Sequence, residues 1–461
     1  MLIYRMQMKY ADGGENIVSE ALKQSKITCH ENYAKADFES LNLGDIVFIH
    51  AGSHPKALVK IIDRIPDADI KQPSFGIDYR VEILSSYDDA IKEFPEIEFR
   101  PPHVSTFVVM DINNDTYKKV KKWYSLIMTK KQMENYISLL KQKHQIIFTG
   151  APGTGKTYLA REIADKMIGN AEKANIQTSF VQLHPSYDYT DFVEGLRPVQ
   201  KGSQIDFELK NGAFKEFCRV AGVVERLKVA GKTTIEQADL ATFLGEDTEG
   251  YEFWNTPEYV GKEITEIEKD LPEFVFIIDE VNRAEISKVF GELMFSIDEG
   301  YRGTAGKVKT QYANIQTDAT FFTNKNNDYF FVPSNVYIIG TMNDIDRSVE
   351  TFDFAMRRRF AWCELKVEDT QDSILKDIPE PEKALAIEKL KALNNAILSI
   401  QGLNSGYCIG ASYFGKLKKD NSFNNLWIYH LAPLLREYLR GLPNAEEKLV
   451  ELKTAYDNAK S

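Results

Sequence analysis

The segment Gly150-Ala-Pro-Gly-Thr-Gly-Lys-Thr157 fills every fixed position of the pattern G-x-x-x-x-G-K-[ST]. Before it, Gln145–Thr149 is an apolar run that reads as a buried strand. After it, Tyr158–Met167 spaces its apolar residues as a helix does. Strand, glycine-rich turn and helix start in that order leave few folds open. The loop belongs at the crest of a parallel α/β sheet, with a nucleoside triphosphate on it. Gly150, Gly153 and Gly155 let backbone N–H groups turn inward onto phosphate oxygens, and the helix start adds partial positive charge. Lys156 is placed to reach the β- and γ-phosphates, and the Thr157 hydroxyl to bind Mg²⁺. Pro152, Thr154 and Tyr158 complete the expected nucleotide-binding set.

Three further segments carry chemistry. Glu273-Phe-Val-Phe-Ile-Ile-Asp279-Glu280 is an apolar strand ending in two acids. Beside a phosphate loop, Asp279 is expected near Mg²⁺ and Glu280 is expected to orient and polarise the attacking water. Val336-Tyr-Ile-Ile-Gly-Thr-Met-Asn343 ends another strand on a polar residue, and Asn343 at that crest can hydrogen-bond the γ-phosphate or its water. Phe352-Asp-Phe-Ala-Met-Arg357-Arg358-Arg359-Phe360 closes a helix with three adjacent guanidinium groups. Successive residues point about 100° apart around a helix, so at least one should meet an anion.

The rest of the chain divides by composition. Residues 1–112 hold short strand candidates, Asp45–His50, Ala57–Ile62, Tyr79–Leu84 and Thr106–Asp111, punctuated by turn signals. A small mixed α/β domain or β-barrel suits them. Residues 113–145 read as a linker helix, with Lys118, Lys119, Lys121 and Lys122 on a solvated face. Residues 146–366 alternate strands and helices as an α/β nucleotide-hydrolysing domain, with strands at Gln145–Thr149, Ser179–Leu183, Phe274–Ile278 and Val336–Gly340. A polar, helix-like insertion at 221–270 interrupts it, and residues 367–461 read as all-helical. A net charge of −11 argues against nucleic-acid binding over the whole surface. Cys29, Cys218, Cys363 and Cys408 form no C-x-x-C pair and are expected as reduced thiols. No apolar run approaches the ~18 residues of a membrane helix and the start lacks a signal-peptide pattern, so a cytoplasmic location without membrane contact is expected.

Phosphate loop, acid pair, polar crest and arginine helix, followed by a helical segment, describe the AAA+ architecture. Three stretches narrow this further: His184–Pro198, Ile277–Leu293, and Gly340-Thr-Met-Asn-Asp-Ile-Asp-Arg-Ser348. Together they resemble the McrB family, the GTP-hydrolysing motor subunits of modification-dependent restriction systems, over about residues 146–440. The narrowest marker is Met-Asn-x-x-Asp-Arg-Ser, carried by Met342, Asn343, Asp346, Arg347 and Ser348. Asp344-Ile345 and Val281 differ from the commonest version of these motifs, and neither touches an expected ligand.

The resemblance implies that Asn343 and Asp346 sit over the nucleotide and that Arg358 and Arg359 act as fingers toward a neighbouring subunit. It implies a homo-oligomer, a hexameric ring, with a separate McrC-type endonuclease that stimulates hydrolysis. It implies GTP rather than ATP as substrate; Asn324-Lys-Asn-Asn-Asp328 misplaces the acid of the N-K-x-D guanine motif and reads as a loop. Cys408–Phe414 resembles the family's lid segment but lacks a sensor arginine.

Residues 44–62 resemble EVE and related PUA-like modules, which hold a flipped, modified DNA base in an aromatic pocket. Tyr33, Phe48, Phe75, Tyr79 and Trp123 are candidate walls, although core packing suits each of them better. No nuclease motif stands out, which assigns cleavage to another chain. The competing function is a MoxR-type ATPase that remodels proteins.

Overall fold

A computed structural model describes residues 2–7, 22–28, 38, 40–65, 78–101, 107–112, 114–202, 204–246, 248–315, 323–324, 327–345, 354–420 and 422–460. The chain divides into two compact units, Met1–Glu134 and Asn135–Ser461.

The first unit is built on a six-stranded sheet of β1 (Ile3–Gln7), β2 (Lys26–Thr28), β3 (Ile46–Ala51), β4 (His54–Ile65), β5 (Asp78–Ser86) and β6 (Phe107–Val109), in the order β2-β5-β4-β3-β1-β6. β1 and β3 run parallel and the other neighbours antiparallel. Alternation along each strand sends side chains to opposite faces, and both faces are apolar. Tyr4, Met6, Val47, Ile49, Val59 and Tyr79 pack on one face with Phe38 and Phe107. Ile3, Ile46, Phe48 and Leu58 pack on the other with α1 (Tyr87–Glu93), Phe99 and the first half of α2 (Asp115–Lys143). A helix-covered sheet is the mixed α/β form of the two forms weighed from the sequence.

The second unit carries a five-stranded parallel sheet. Its strands are β7 (Gln145–Thr149), β8 (Thr178–Gln182), β11 (Phe274–Asp279), β14 (Val336–Thr341) and β15 (Ala361–Glu364), in the order β15-β7-β14-β11-β8. Between β8 and β11 lies an antiparallel hairpin, β9 (Glu194–Lys201) and β10 (Gln204–Asn211). β12 (Thr323–Asn324) and β13 (Asn327–Asp328) form a second, short hairpin. Buried on both faces, β11 is apolar throughout until its final aspartate. Phe192, Phe214, Phe276 and Phe290 interlock beneath it, with ring centroids from 4.6 to 5.9 Å apart.

Segment 221–270 is helical, but it is no polar appendage. Val224, Leu240, Phe243, Phe253 and Trp254 are buried in the same core as the sheet. Its Glu and Lys residues supply the outer faces of short helices, which is why composition alone misleads. The C-terminal segment is helical, as expected. α4 (Glu382–Ser399), α5 (Ala432–Leu439) and α6 (Ala445–Asn458) pack around Leu390, Leu393, Leu435 and Leu452. No helix among the described residues is long and apolar enough to cross a membrane.

Candidate active site

The phosphate loop joins β7 to α3 (Lys156–Ile168). Gly150, Gly153 and Gly155 have φ of 140°, 78° and 85°, all in the region that favours glycine. Space excludes larger residues as well: a Cβ on Gly150 would lie 2.4 Å from the Leu365 carbonyl oxygen. Lys156 is buried, and its amine donates to the Gly150 and Ala151 carbonyls at 2.9 and 2.8 Å. The Thr154 hydroxyl donates to the Ala151 carbonyl at 3.0 Å.

The sheet brings the acid pair beside this loop. Thr157 Oγ1 donates to Asp279 Oδ1 at 2.6 Å across 122 residues of sequence. Thr341, at the end of the neighbouring strand β14, donates to the same oxygen at 2.6 Å. A hydroxyl and a carboxylate oxygen are hard donors of the type Mg²⁺ takes, along with substrate phosphates and water. Among the described residues there is no cluster of three or more His, Cys, Asp or Glu that could hold a metal. The donor set therefore fits a magnesium–triphosphate, in which one carboxylate suffices, better than an all-protein metal cage.

Glu280 has a φ of 55°, the left-handed conformation, which is uncommon outside glycine. The turn sends two consecutive acids to different tasks. Asp279 meets the two threonines, whereas Glu280 Oε1 accepts from Asn343 Nδ2 at 2.7 Å. Asn282 Nδ2 in turn donates to the Asn343 carbonyl at 3.3 Å, and Arg283 Nε lies 3.5 Å from Glu280 Oε2. Glu280 and Asn343 thus share one hydrogen bond at the crest, with the glutamate oriented from two sides. Thr341, Asn282 and Arg283 did not stand out in the sequence; Thr341 lies within the crest segment, two residues before Asn343.

Asp346 lies outside the described residues, as do Arg347 and Ser348 of the same signature. Tyr158 is at the start of α3, but its side chain is exposed and its hydroxyl donates to Glu162 at 2.7 Å. That bond pushes the phenol up to about 12. Asp344, next to Asn343, is exposed, yet partial desolvation pushes its carboxyl up against the pull of Lys156.

The three arginines separate. Arg357 lies over the Trp362 ring at 5.1 Å. Arg359 turns inward, with its side chain 10% exposed, donating to the Ala355 carbonyl at 2.6 Å. Arg358 projects, its side chain 69% exposed, while Arg357, also exposed, lies along the Trp362 ring. β15 follows them and pairs in parallel with β7, from Ala361 opposite Ile146 to Glu364 opposite Thr149. The arginines therefore stand at the opposite end of this strand pair from the chain's own phosphate loop, roughly 15 Å away along it.

The helical segment closes over the loop. Gly410 N donates to the Pro152 carbonyl and Ser412 N to the Gly153 carbonyl, both at 3.0 Å. The Thr370 hydroxyl donates to the Thr154 carbonyl. The bonds from Gly410 and Ser412 lie in the lid segment that lacks a sensor arginine.

Known proteins match along the same lines. A family model described as "AAA domain (dynein-related subfamily)" matches residues 145–360, and one described as "McrB, alpha-helical lid domain" matches residues 385–446. The Type IV methyl-directed restriction enzyme EcoKMcrB subunit of Escherichia coli (strain K12) is 30% identical over 396 residues, covering 81% of this chain and 70% of that protein. The chain belongs to the McrB family. McrB-family membership and the AAA match make it a nucleotide hydrolase with a parallel-sheet core and a C-terminal helical lid. The Type II restriction enzyme BsuMI component YdiS of Bacillus subtilis (strain 168) is 26% identical over 233 residues, covering 50% of this McrB-family chain and 60% of that protein. A solved Mmi1 YTH domain in complex with RNA covers 27% of the chain at 11% identity and a TM-score of 0.20, too low to carry an argument.

The suggested pocket walls among the described residues, Phe48, Tyr79 and Trp123, do not converge. Tyr33 and Phe75 lie outside the described residues. Phe48 and Trp123 are buried on one face of the sheet, and Tyr79 on the other. All three are core. His50 is buried, with Nδ1 2.8 Å from the Gly52 carbonyl oxygen, and His54 is exposed at the next strand's start, so the two make no metal pair.

Proposed function

We propose that this chain is the GTP-hydrolysing motor of a restriction complex. It assembles head to tail as a homo-oligomeric ring, a hexamer. A separate McrC-type endonuclease stimulates hydrolysis and cuts the DNA. The observation that carries the reading is the paired chemistry at the crest: Thr157 and Thr341 on Asp279, and Asn343 on Glu280. In this reading Thr157 and Asp279 hold Mg²⁺, with Asp279 acting directly or through water. Mg²⁺ held by these residues would supply positive charge against the negative charge of the phosphates. Lys156 exchanges its two loop carbonyls for phosphate oxygens. Gly150, Pro152, Gly153, Thr154 and Gly155 present backbone to the phosphates, and Tyr158 flanks them at the helix start. Glu280 takes the proton of the attacking water while Asn343 fixes its carboxylate and senses the γ-phosphate. Asp346 completes the crest.

The place of Arg358 supports action in trans. Its own phosphate loop is at the far end of the β7–β15 pair, while the side chain is exposed where a neighbour can present a γ-phosphate. Arg359, folded inward, backs it. Residues 1–112, the reading domain, select DNA that carries modified bases, and residues 113–145 are the linker helix. Residues 146–366 hydrolyse and 367–461 form the lid. The names of the relatives, a methyl-directed and a second restriction component, favour this over protein remodelling.

The test compares GTP with ATP hydrolysis, each with and without the cognate nuclease subunit, for the wild-type chain and Lys156→Ala. GTP turnover stimulated by the nuclease, and lost in Lys156→Ala, is the expected result. ATP preference with no response to the nuclease would overturn the proposal.

A further inference from the structure

Arg359 is held in a buried seat at the base of the sheet, formed by residues that no motif marks. Gln145, the first residue of β7, is fully buried. Its side-chain Nε2 donates to the Arg359 carbonyl at 2.7 Å and to the Ile297 carbonyl. Its Oε1 accepts from Arg302 Nη2. Both amide hydrogens and the amide oxygen are engaged, which fixes the orientation of the amide. Burial of the Arg302 guanidinium, whose Nε and Nη1 are shut from solvent, pulls it down to about 10.

Asp298 completes the seat. Its Oδ1 accepts from the Glu299 N–H at 3.0 Å. Its Oδ2 then faces both arginines, 3.4 Å from Arg359 Nη2 and 3.8 Å from Arg358 Nη2. Arg359 donates to Ala355 O and pairs with Asp298, and so serves as a strut. Arg358 rests on the same carboxylate with most of its surface outward.

We propose that Asp298 and Gln145 are positioning residues for Arg358. Gln145 pins the backbone that follows the arginine pair to the start of the phosphate-loop strand, and Asp298 sets the direction in which Arg358 leaves the surface. A freely rotating arginine would meet a neighbour's γ-phosphate less often, because side-chain ordering would have to be met at each encounter. The inference rests on the reading of Arg358 as a finger acting in trans.

The experiment uses full-length chains with the nuclease partner present, and measures turnover of single variants and of one-to-one mixtures. Asp298→Asn keeps the shape and removes the charge. Alone, it is expected to lower hydrolysis tenfold or more by the ~10³–10⁵ scale of finger contributions, with nucleotide affinity unchanged. Unchanged affinity reports an intact fold. Mixed with Lys156→Ala, which keeps the seat but has no working site, Asp298→Asn should recover. About one head-to-tail interface in four then pairs a sound site with a sound finger. Mixed with Arg358→Ala it should not recover, since both lack the finger function. Gln145→Leu should follow the same pattern.

Recovery with Arg358→Ala, or none with Lys156→Ala while Arg358→Ala itself recovers with Lys156→Ala, would overturn the positioning role. If Arg358→Ala shows no recovery with Lys156→Ala, the trans reading falls and the proposal falls with it.

Discussion

At the scale of single residues, the acid pair shows how one backbone angle assigns roles. Because Glu280 is left-handed, its carboxylate leaves the strand away from the threonines that take Asp279. Glu280→Gln should therefore bind nucleotide with near wild-type affinity and lose about two to four orders of magnitude in turnover, the usual range for a general base. Nucleotide binding and single-turnover hydrolysis, measured on one preparation, check both halves, and normal turnover would move the base elsewhere. The residues that were visible in the sequence are those whose neighbours along the chain declare them: the phosphate loop by its glycines, Asp279 and Glu280 by their strand. Thr341 was hidden inside the crest strand. The inward turn of Arg359 was hidden as well, since its partners Gln145 and Asp298 come from other elements.

At the scale of elements, the four parallel strands read from apolar runs recur within one residue of the ends expected, because burial on both faces leaves little choice of composition. The fifth, β15, followed the arginines as a strand-like segment. The hairpin β9–β10 escaped notice. Its exposed Ile205 and Phe207 face outward, and Pro198 argues against a strand unless the strand is an edge. The lid's hold on the phosphate loop was also invisible, being made of two backbone bonds and one threonine hydroxyl. It yields a sharp expectation. A Cβ on Gly410 would lie 1.9 Å from the Gly153 carbonyl carbon, with backbone on every near side. Gly410→Ala should push the lid off the loop at a cost of about 1–3 kcal/mol, weakening nucleotide binding roughly tenfold. Equilibrium titration with a fluorescent nucleotide would show it, and unchanged affinity would mean that the lid contact is dispensable.

At the scale of the molecule, the division after Glu134 falls inside α2, whose first half packs into the sheet-covered core of unit one through Val120 and Trp123. The second half contributes Tyr136, which meets Phe148 of β7 edge-on at 5.0 Å. Composition marked 113–145 as a linker because its charges dominate, whereas the few apolar residues do the packing. Exchanging residues 1–134 for those of a relative with another DNA preference should transfer that preference and leave basal hydrolysis within about twofold, a change under ~0.5 kcal/mol. DNA-stimulated and unstimulated rates of the chimera would separate the two. A preference that stayed with the hydrolysing unit would reassign the reader. The parallel pairing of β7 with β15 has a last consequence. If Arg358 serves a neighbour as proposed, a strand ladder that carries a binding loop at one end and an arginine at the other would make every chain half of two catalysts and the whole of none. Dilution would then silence such molecules long before any of them unfolds.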